Sequence, residues 1–169
     1  TIKSSSLRAL FALGARPGWS LSQGDINNAY LHGTLPDPIL MTLPPGLPDL
    51  TDGVPDDSCV ELIKSLYGTK TAGNIWSDVF ANWMKKQGFT RLASDPCVYK
   101  KQVGDKILIV GVYVDDCIAL TNCKALSNAF FAAADGTFGI KNEGELSWVL
   151  GLKIERNDDR IAVSQAAYI

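Results

Sequence analysis

The chain has 169 residues, of which 46% are hydrophobic and 20% charged, and a formal net charge of −2. These values suit one soluble globular domain with a real core, and they exclude a disordered chain or a surface coated uniformly for nucleic acid. No apolar run approaches the roughly 20 residues that span a bilayer, so no membrane partner is expected. No signal peptide opens the chain, and Thr1, which is no initiator, suggests a piece excised from something longer.

From the N-terminus, Ser4, Ser5 and Ser6 precede Leu7, Leu10, Phe11 and Leu13, a spacing that predicts a short helix with a serine cap. Arg16, Pro17 and Gly18 end it. Trp19, Leu21, Gln23 and Asp25 then alternate with Ser20, Ser22, Gly24 and Ile26, which predicts a strand over 19–26 with Asp25 near its C-terminal end. From His32 to Asp57, Pro, Gly and Asp dominate, relieved by a strand-like Ile39-Leu40-Met41 and the turn Pro44-Pro45-Gly46. So long a stretch with little pattern reads as a functional loop or a flexible subdomain.

Cys59 to Ile63 reads as a short strand. Leu66 to Lys70 leads into the clearest helix, over 71–87, whose Ala72, Ile75, Trp76, Val79, Phe80, Trp83 and Met84 share one face at a 3.6-residue period. That aromatic stripe is read as core. Val98-Tyr99-Lys100 and a turn at Gly104-Asp105 follow.

Residues 107–120 form an apolar run broken only at its centre by Tyr113, Val114, Asp115 and Asp116, which reads as a buried hairpin with two carboxylates at its tip. Adjacent carboxylates in a low dielectric resist ionising, so they point either to a bound cation, magnesium being the natural one, or to an ordinary Asp-Asp turn. Asn122 is a candidate cap for a helix over 123–135. Beyond Gly139 and Gly144, Leu146 to Glu155 reads as a strand that Asn157-Asp158-Asp159 turns back into Ile161-Ala162-Val163. Ser164 is a candidate cap for a final helix.

Set in order, the major elements run strand, helix, strand, strand, helix, strand. This is the βαββαβ order of the α+β, ferredoxin-like arrangement, which puts the first strand beside the third in an antiparallel sheet. Asp25 is thereby expected next to Asp115 and Asp116. Three carboxylates on neighbouring strands, with helices on the far face, make a plausible two-metal site for in-line phosphoryl transfer.

Charge and cysteine content add two expectations. Residues 64–106 hold 8 Lys and Arg against 3 Asp and Glu, whereas the segments on either side are acidic; this basic island is either a solvated face or a polyanion-binding one. Cys59, Cys97, Cys117 and Cys123 lack C-x-x-C spacing, and His32 stands alone, so the cysteines read as reduced thiols in a reducing compartment.

Four stretches, Asp25-Ile-Asn-Asn-Ala-Tyr-Leu-His-Gly33, Leu66-Tyr-Gly-Thr-Lys-Thr-Ala-Gly-Asn-Ile-Trp76, Tyr113-Val-Asp-Asp116 and Gly144-Glu-Leu-Ser-Trp-Val-Leu-Gly151, occur in an order and spacing that resemble the reverse transcriptase of copia-type (Pseudoviridae) retrotransposons. The resemblance runs from about Ser6 to Ile169. It implies a polymerase palm with partial fingers over 1–169, residues 32–70 forming a fingers-like or loop insertion. It also implies an RNA-directed DNA polymerase acting on a template with primer and dNTP.

In that resemblance Asp25, Asp115 and Asp116 hold two Mg²⁺, with Mn²⁺ as a substitute, and Ile26 offers a backbone carbonyl. Tyr30 resembles the aromatic gate against a ribose 2′-hydroxyl, its alternative being a core tyrosine. Gly68, Lys70 and Tyr113 would approach substrate, and Trp148, Val149, Leu150 and Gly151 match a primer-positioning turn. The basic island would face template-primer phosphates. Further fingers, thumb, RNase H and integrase segments would belong to the same polyprotein, in a cytoplasmic retrotransposon particle or the nucleus.

Where the family reads Lys-Gln-Ala-Pro-Arg-Ala-Trp, this chain has Lys70-Thr-Ala-Gly-Asn-Ile-Trp76, so a Gln, a Pro and an Arg are absent. The alternative functional reading is a catalytically incomplete remnant that binds nucleic acid or a protein partner. A template-independent nucleotidyl transferase on the same topology ranks below both.

Overall fold

A computed structural model describes residues 1–46, 55, 58–157 and 160–166. The chain divides into two compact units, one built from Thr1–Ala29 with Phe80–Ile169 and the other from Tyr30–Val79. It is a mixed α and β structure with antiparallel sheets. None of its described helices is long and apolar enough to cross a membrane.

The first unit contains α1 (Ser4–Gly14) and β1 (Ser20–Ile26), then β4 (Thr90–Arg91), β5 (Val98–Val103), β6 (Lys106–Tyr113), β7 (Asp116–Thr121), α3 (Lys124–Phe138) and β8 (Ile140–Glu145). Its strands form one sheet in the order β4-β5-β6-β7-β1-β8. As expected, β1 pairs antiparallel with β7, the second arm of the central hairpin. The edge strand beside β1, however, is Ile140–Glu145 and not 146–155. That strand escapes a periodicity search because only Ile140 in it is buried; an edge strand with solvent on both faces carries no alternation. The segment expected as one strand instead breaks into β9 (Trp148–Val149) and β10 (Leu152–Arg156), which join β11 (Ile161–Ser164) in a separate three-stranded sheet.

Both faces of the six-stranded sheet are covered along part of their length. On one side Ser22 meets Ser127 of α3 at 3.0 Å, and a side chain at Gly24 would run into the Phe131 ring at 2.6 Å. Phe80, Trp83, Tyr99, Phe130 and Phe138 cluster with ring centroids 5.2–6.0 Å apart. The stripe of α2 (Ala72–Lys86) is therefore core, as its period predicts. On the opposite side Leu7, Leu10 and Phe11 of α1 pack with Leu21, Ile118, Leu120 and Ile154. A side chain at Gly111 would meet Ile2 at 2.5 Å, so glycine there lets α1 seat on β6.

Both helix starts depart from expectation, that of α1 through a tertiary contact. The N-cap of α1 is Lys3, with no side-chain cap bond. Its backbone N–H donates to Asp95, from the loop between β4 and β5, at 2.8 Å. The serine triplet lies inside the helix. Cys123, not Asn122, is the N-cap of α3; the Asn122 side chain bridges the β5–β6 turn, accepting from Ile107 N–H at 2.7 Å and donating to the Asp105 carbonyl at 2.9 Å.

In the second unit, β2 (Thr34–Thr42) pairs with β3 (Cys59–Lys64), so the long loop expected from His32 holds a nine-residue strand. Its register breaks between Thr34 and Ile39, where Pro36 and Pro38 remove ladder donors. Gly46 has φ +84° in the expected Pro-Pro-Gly turn. Residues 47–54, 56–57, 158–159 and 167–169 lie outside the described residues, with the rest of the predicted loop, part of the Asn157-Asp158-Asp159 turn and most of the predicted final helix.

Candidate active site

Asp25, the penultimate residue of β1, is the direct partner of Asp116, the first residue of β7. Partners across an antiparallel ladder have Cα atoms about 4.5–5.5 Å apart and side chains on the same face. Because alternation along β1 turns Ser22 and Gly24 toward α3, Gln23 and Asp25 face the other way, with Leu21. Leu21 lies beneath α1, while Asp25 and Asp116, four positions on, are partly exposed.

Asp115 is held differently. Tyr113 pairs with Asp116, so Val114 and Asp115 form a two-residue hairpin turn. Val114 carries φ +54°, a left-handed conformation that costs a β-branched residue free energy. The turn is tied to the end of β1 twice: Ile26 N–H donates to the Asp115 carbonyl at 2.8 Å, and Ala29 N–H to its carboxylate at 3.1 Å. Asn28, at φ +51°, turns the chain between those two donors.

Burial raises the Asp25 carboxyl above its ordinary value, and the charges of Asp115 and Glu143 raise it further, whereas Lys141 pulls it back. Lys141 is its cross-strand partner on β8. Asp116 is likewise raised, first by burial and then by Asp25, Asp115 and Glu143. The neighbouring Cys117 thiol, fully buried and next to both acids, is pushed well up; it is an inert core group rather than a nucleophile.

Among the described residues no three His, Cys, Asp or Glu side chains close into a metal cage. The donor set nevertheless suits a hard divalent ion in chemical type: carboxylate oxygens that repel one another and that a cation would relieve.

Other predicted residues fall into three places. Ile26 is buried, and Tyr113, at the hairpin tip, is 38% exposed. Trp148, Val149, Leu150 and Gly151 form a tight turn in which Leu150 and Gly151 have φ +50° and +75° and Val149 pairs with Leu152. Positive φ at both central residues is the mark of a type I′ hairpin. Tyr30, Gly68 and Lys70 belong to the second unit. There the Tyr30 ring lies 4.5 Å from that of Tyr67, Gly68 takes φ +96°, and Lys70 is exposed.

The basic island divides. Lys100, Lys101 and Lys106 lie toward the β5–β6 turn, and the length of β6, roughly 24 Å, separates Lys106 from Tyr113. Lys101 is also turned back onto the Gln87 carbonyl at 2.8 Å.

Gln23, Lys141 and Glu143 carry no motif signal and are found only through the ladder. A register shift between Gln23 and Gly24 leaves Glu143 as an extra residue on β8, and its carboxylate accepts from the Gln23 amide at 2.6 Å.

Comparison with known proteins bears on the family of the chain. A family profile described as reverse transcriptase (RNA-dependent DNA polymerase) matches residues 1–169. The chain is 34% identical over 168 residues to the retrovirus-related Pol polyprotein from transposon RE1 of Arabidopsis thaliana, covering 99% of this chain and 11% of that one. It is 34% identical over 171 residues to the corresponding polyprotein from transposon TNT 1-94 of Nicotiana tabacum, covering 99% and 13%. A putative transposon Ty5-1 protein of Saccharomyces cerevisiae is 27% identical over 86% of the chain and 46% of its own length. The chain thus spans about a tenth of the plant polyproteins. No solved structure matches it. A match over its whole length places the chain in the reverse transcriptase (RNA-dependent DNA polymerase) family, alongside Pol polyproteins of copia-type transposons.

Proposed function

We propose that this chain is the palm-centred core of an RNA-directed DNA polymerase, which extends a primer 3′-hydroxyl with dNTPs on an RNA or DNA template. The succession β1-α2-β6-β7-α3-β8, with β8-β1-β7-β6 adjacent in one sheet, supports a ferredoxin-like palm. The observation that carries the reading is the pairing of Asp25 with Asp116, beside a hairpin turn that holds Asp115.

In this reading Asp25, Asp115 and Asp116 hold two divalent ions. Bound there, Mg²⁺ supplies charge that favours ionisation of the primer hydroxyl and offsets charge on the triphosphate. The chain itself aligns the reactants. Ile26 would offer its backbone carbonyl, the Tyr113 side chain meets the nucleic acid at the hairpin tip, and the turn Trp148–Gly151 positions the primer. In the second unit Tyr30 excludes a ribose 2′-hydroxyl, Gly68 permits close backbone approach, and Lys70 binds phosphate. The remaining polyprotein segments complete the grip on the template, in a retrotransposon particle.

Primer extension on poly(rA)/oligo(dT) with Mg²⁺ or Mn²⁺ tests the proposal, comparing the chain with its Asp115→Asn, Asp116→Asn double variant. Template-dependent extension by the unaltered chain alone is the expected result. Binding of primer-template without extension would favour a nucleic-acid-binding remnant, the reading to which the altered Lys70–Trp76 stretch lends support.

A further inference from the structure

We infer that Gln23 is a positioning residue: its side-chain amide clamps the Trp148–Gly151 turn to the strand that carries Asp25, and so sets where a primer terminus meets the acids. The inference rests on the polymerase reading above and adds to it a residue outside the acid triad and the turn.

Gln23 and Asp25 share a face of β1, two residues and therefore about 6.8 Å apart. The Gln23 carbonyl oxygen accepts from the backbone N–H groups of Ser147 at 2.9 Å and Trp148 at 3.3 Å. Its amide nitrogen donates to the Glu143 carboxylate at 2.6 Å. Both ends fix the orientation of the amide, since backbone donors require an acceptor and a carboxylate requires a donor. A glutamate would meet Glu143 with repulsion, and a leucine would meet neither partner.

The rest of the turn is anchored without Gln23. Leu146 and Val149 are buried, Leu146 N–H donates to the Leu21 carbonyl at 3.2 Å, and the Ser147 carbonyl accepts from Ile154 N–H at 2.9 Å. What those contacts leave free is the swing of the Ser147 and Trp148 peptides relative to β1, and these peptides lead directly into the turn. Exposed hydrogen bonds of this kind add little to global stability. Their effect on geometry is larger, because misplacing a reacting group by about 1 Å can cost about a hundredfold in rate.

The test compares the chain with Gln23→Leu, Gln23→Glu and the exchanged pair Gln23→Glu with Glu143→Gln. The exchanged pair restores the lost hydrogen bond with donor and acceptor reversed. Amide hydrogen exchange is read at Ser147 and Trp148 against buried Ala119, and extension is analysed for KM of primer-template and of dNTP. Gln23→Leu should speed exchange at Ser147 and Trp148 about tenfold with Ala119 unchanged, and raise KM for primer-template about tenfold with KM for dNTP within about twofold. The exchanged pair should recover most of the loss shown by Gln23→Glu. Unchanged exchange in Gln23→Leu, equal effects on both KM values, or no recovery in the exchanged pair would each overturn the clamp. A wild-type chain that neither binds nor extends primer would overturn the polymerase reading and the primer half of this inference, with exchange still deciding whether Gln23 holds the turn.

Discussion

Asp25 and Asp116 are direct cross-strand partners, two like charges on one face of adjacent strands, and both carboxyl groups are raised, first by burial and then by the neighbouring acids, Asp115 and Glu143 for Asp25 and these two with Asp25 for Asp116. Like charges directly opposite in a ladder are destabilising. The metal-free fold therefore tolerates a cost that the proposed chemistry requires.

Asp116→Asn should accordingly raise the Tm of the metal-free chain, by about 2–4 °C, while abolishing extension. A group whose folded pKa is raised favours the fold below its unfolded pKa, and that benefit is lost as pH rises through the folded value. The wild type should thus approach the variant's Tm as pH falls from 7 toward 4. Calorimetry at both pH values checks the sign.

Val114 holds a left-handed conformation at the tip of the hairpin. Replacing it with glycine removes that strain at some cost in chain entropy, for a net gain of about 1 kcal/mol. Incorporation should nonetheless fall, because a looser turn no longer fixes Asp115 beside β1. Urea denaturation and single-turnover extension on one preparation would separate the two effects.

Asp95, 1% exposed, works in the opposite sense. Burial alone would raise its carboxyl, but hydrogen bonds from Ser6, Lys3 and Cys97 and the charge of Lys3 hold it below its ordinary value. Its contribution is complete above the unfolded pKa near 3.8 and is lost as pH falls through the lower folded value. Asp95→Asn should cost about 1 kcal/mol at pH 7, a difference that shrinks by pH 2.5 in urea titrations.

Lys70 is exposed in the second unit and is proposed to contact phosphate. Lys70→Ala should weaken primer-template binding alike for all sequences, and lower the slope of log K against log salt concentration by about 1. Fluorescence anisotropy across a salt series measures this directly.

Periodicity and composition by themselves determined much of this protein. The apolar run around Asp115 and Asp116 reads as a buried hairpin, since eight successive apolar or glycine residues rich in β-branched types suit a covered strand. The face of α2 reads as core, because Ala72 and six larger apolar side chains recur at the helical period. From the order of elements it followed that β1 lies beside β7, and hence that Asp25 neighbours the paired acids. Four ordered motifs named the family that the whole-chain match then established.

What only the tertiary structure decided are features without local signal. Strand β8 is an edge with a single buried residue, so no alternation announces it. The cap of α1 comes from Asp95, 92 residues away along the chain, where no local rule reaches. Leu150 and Val114 take positive φ against their intrinsic preference, a choice that neighbouring strands impose and propensity cannot foresee. Glu143 and Gln23 acquire their roles through a bulge in register. Periodicity reports which face of an element is buried, whereas register, bulges and distant caps depend on which elements meet, and that is settled only when the chain closes on itself.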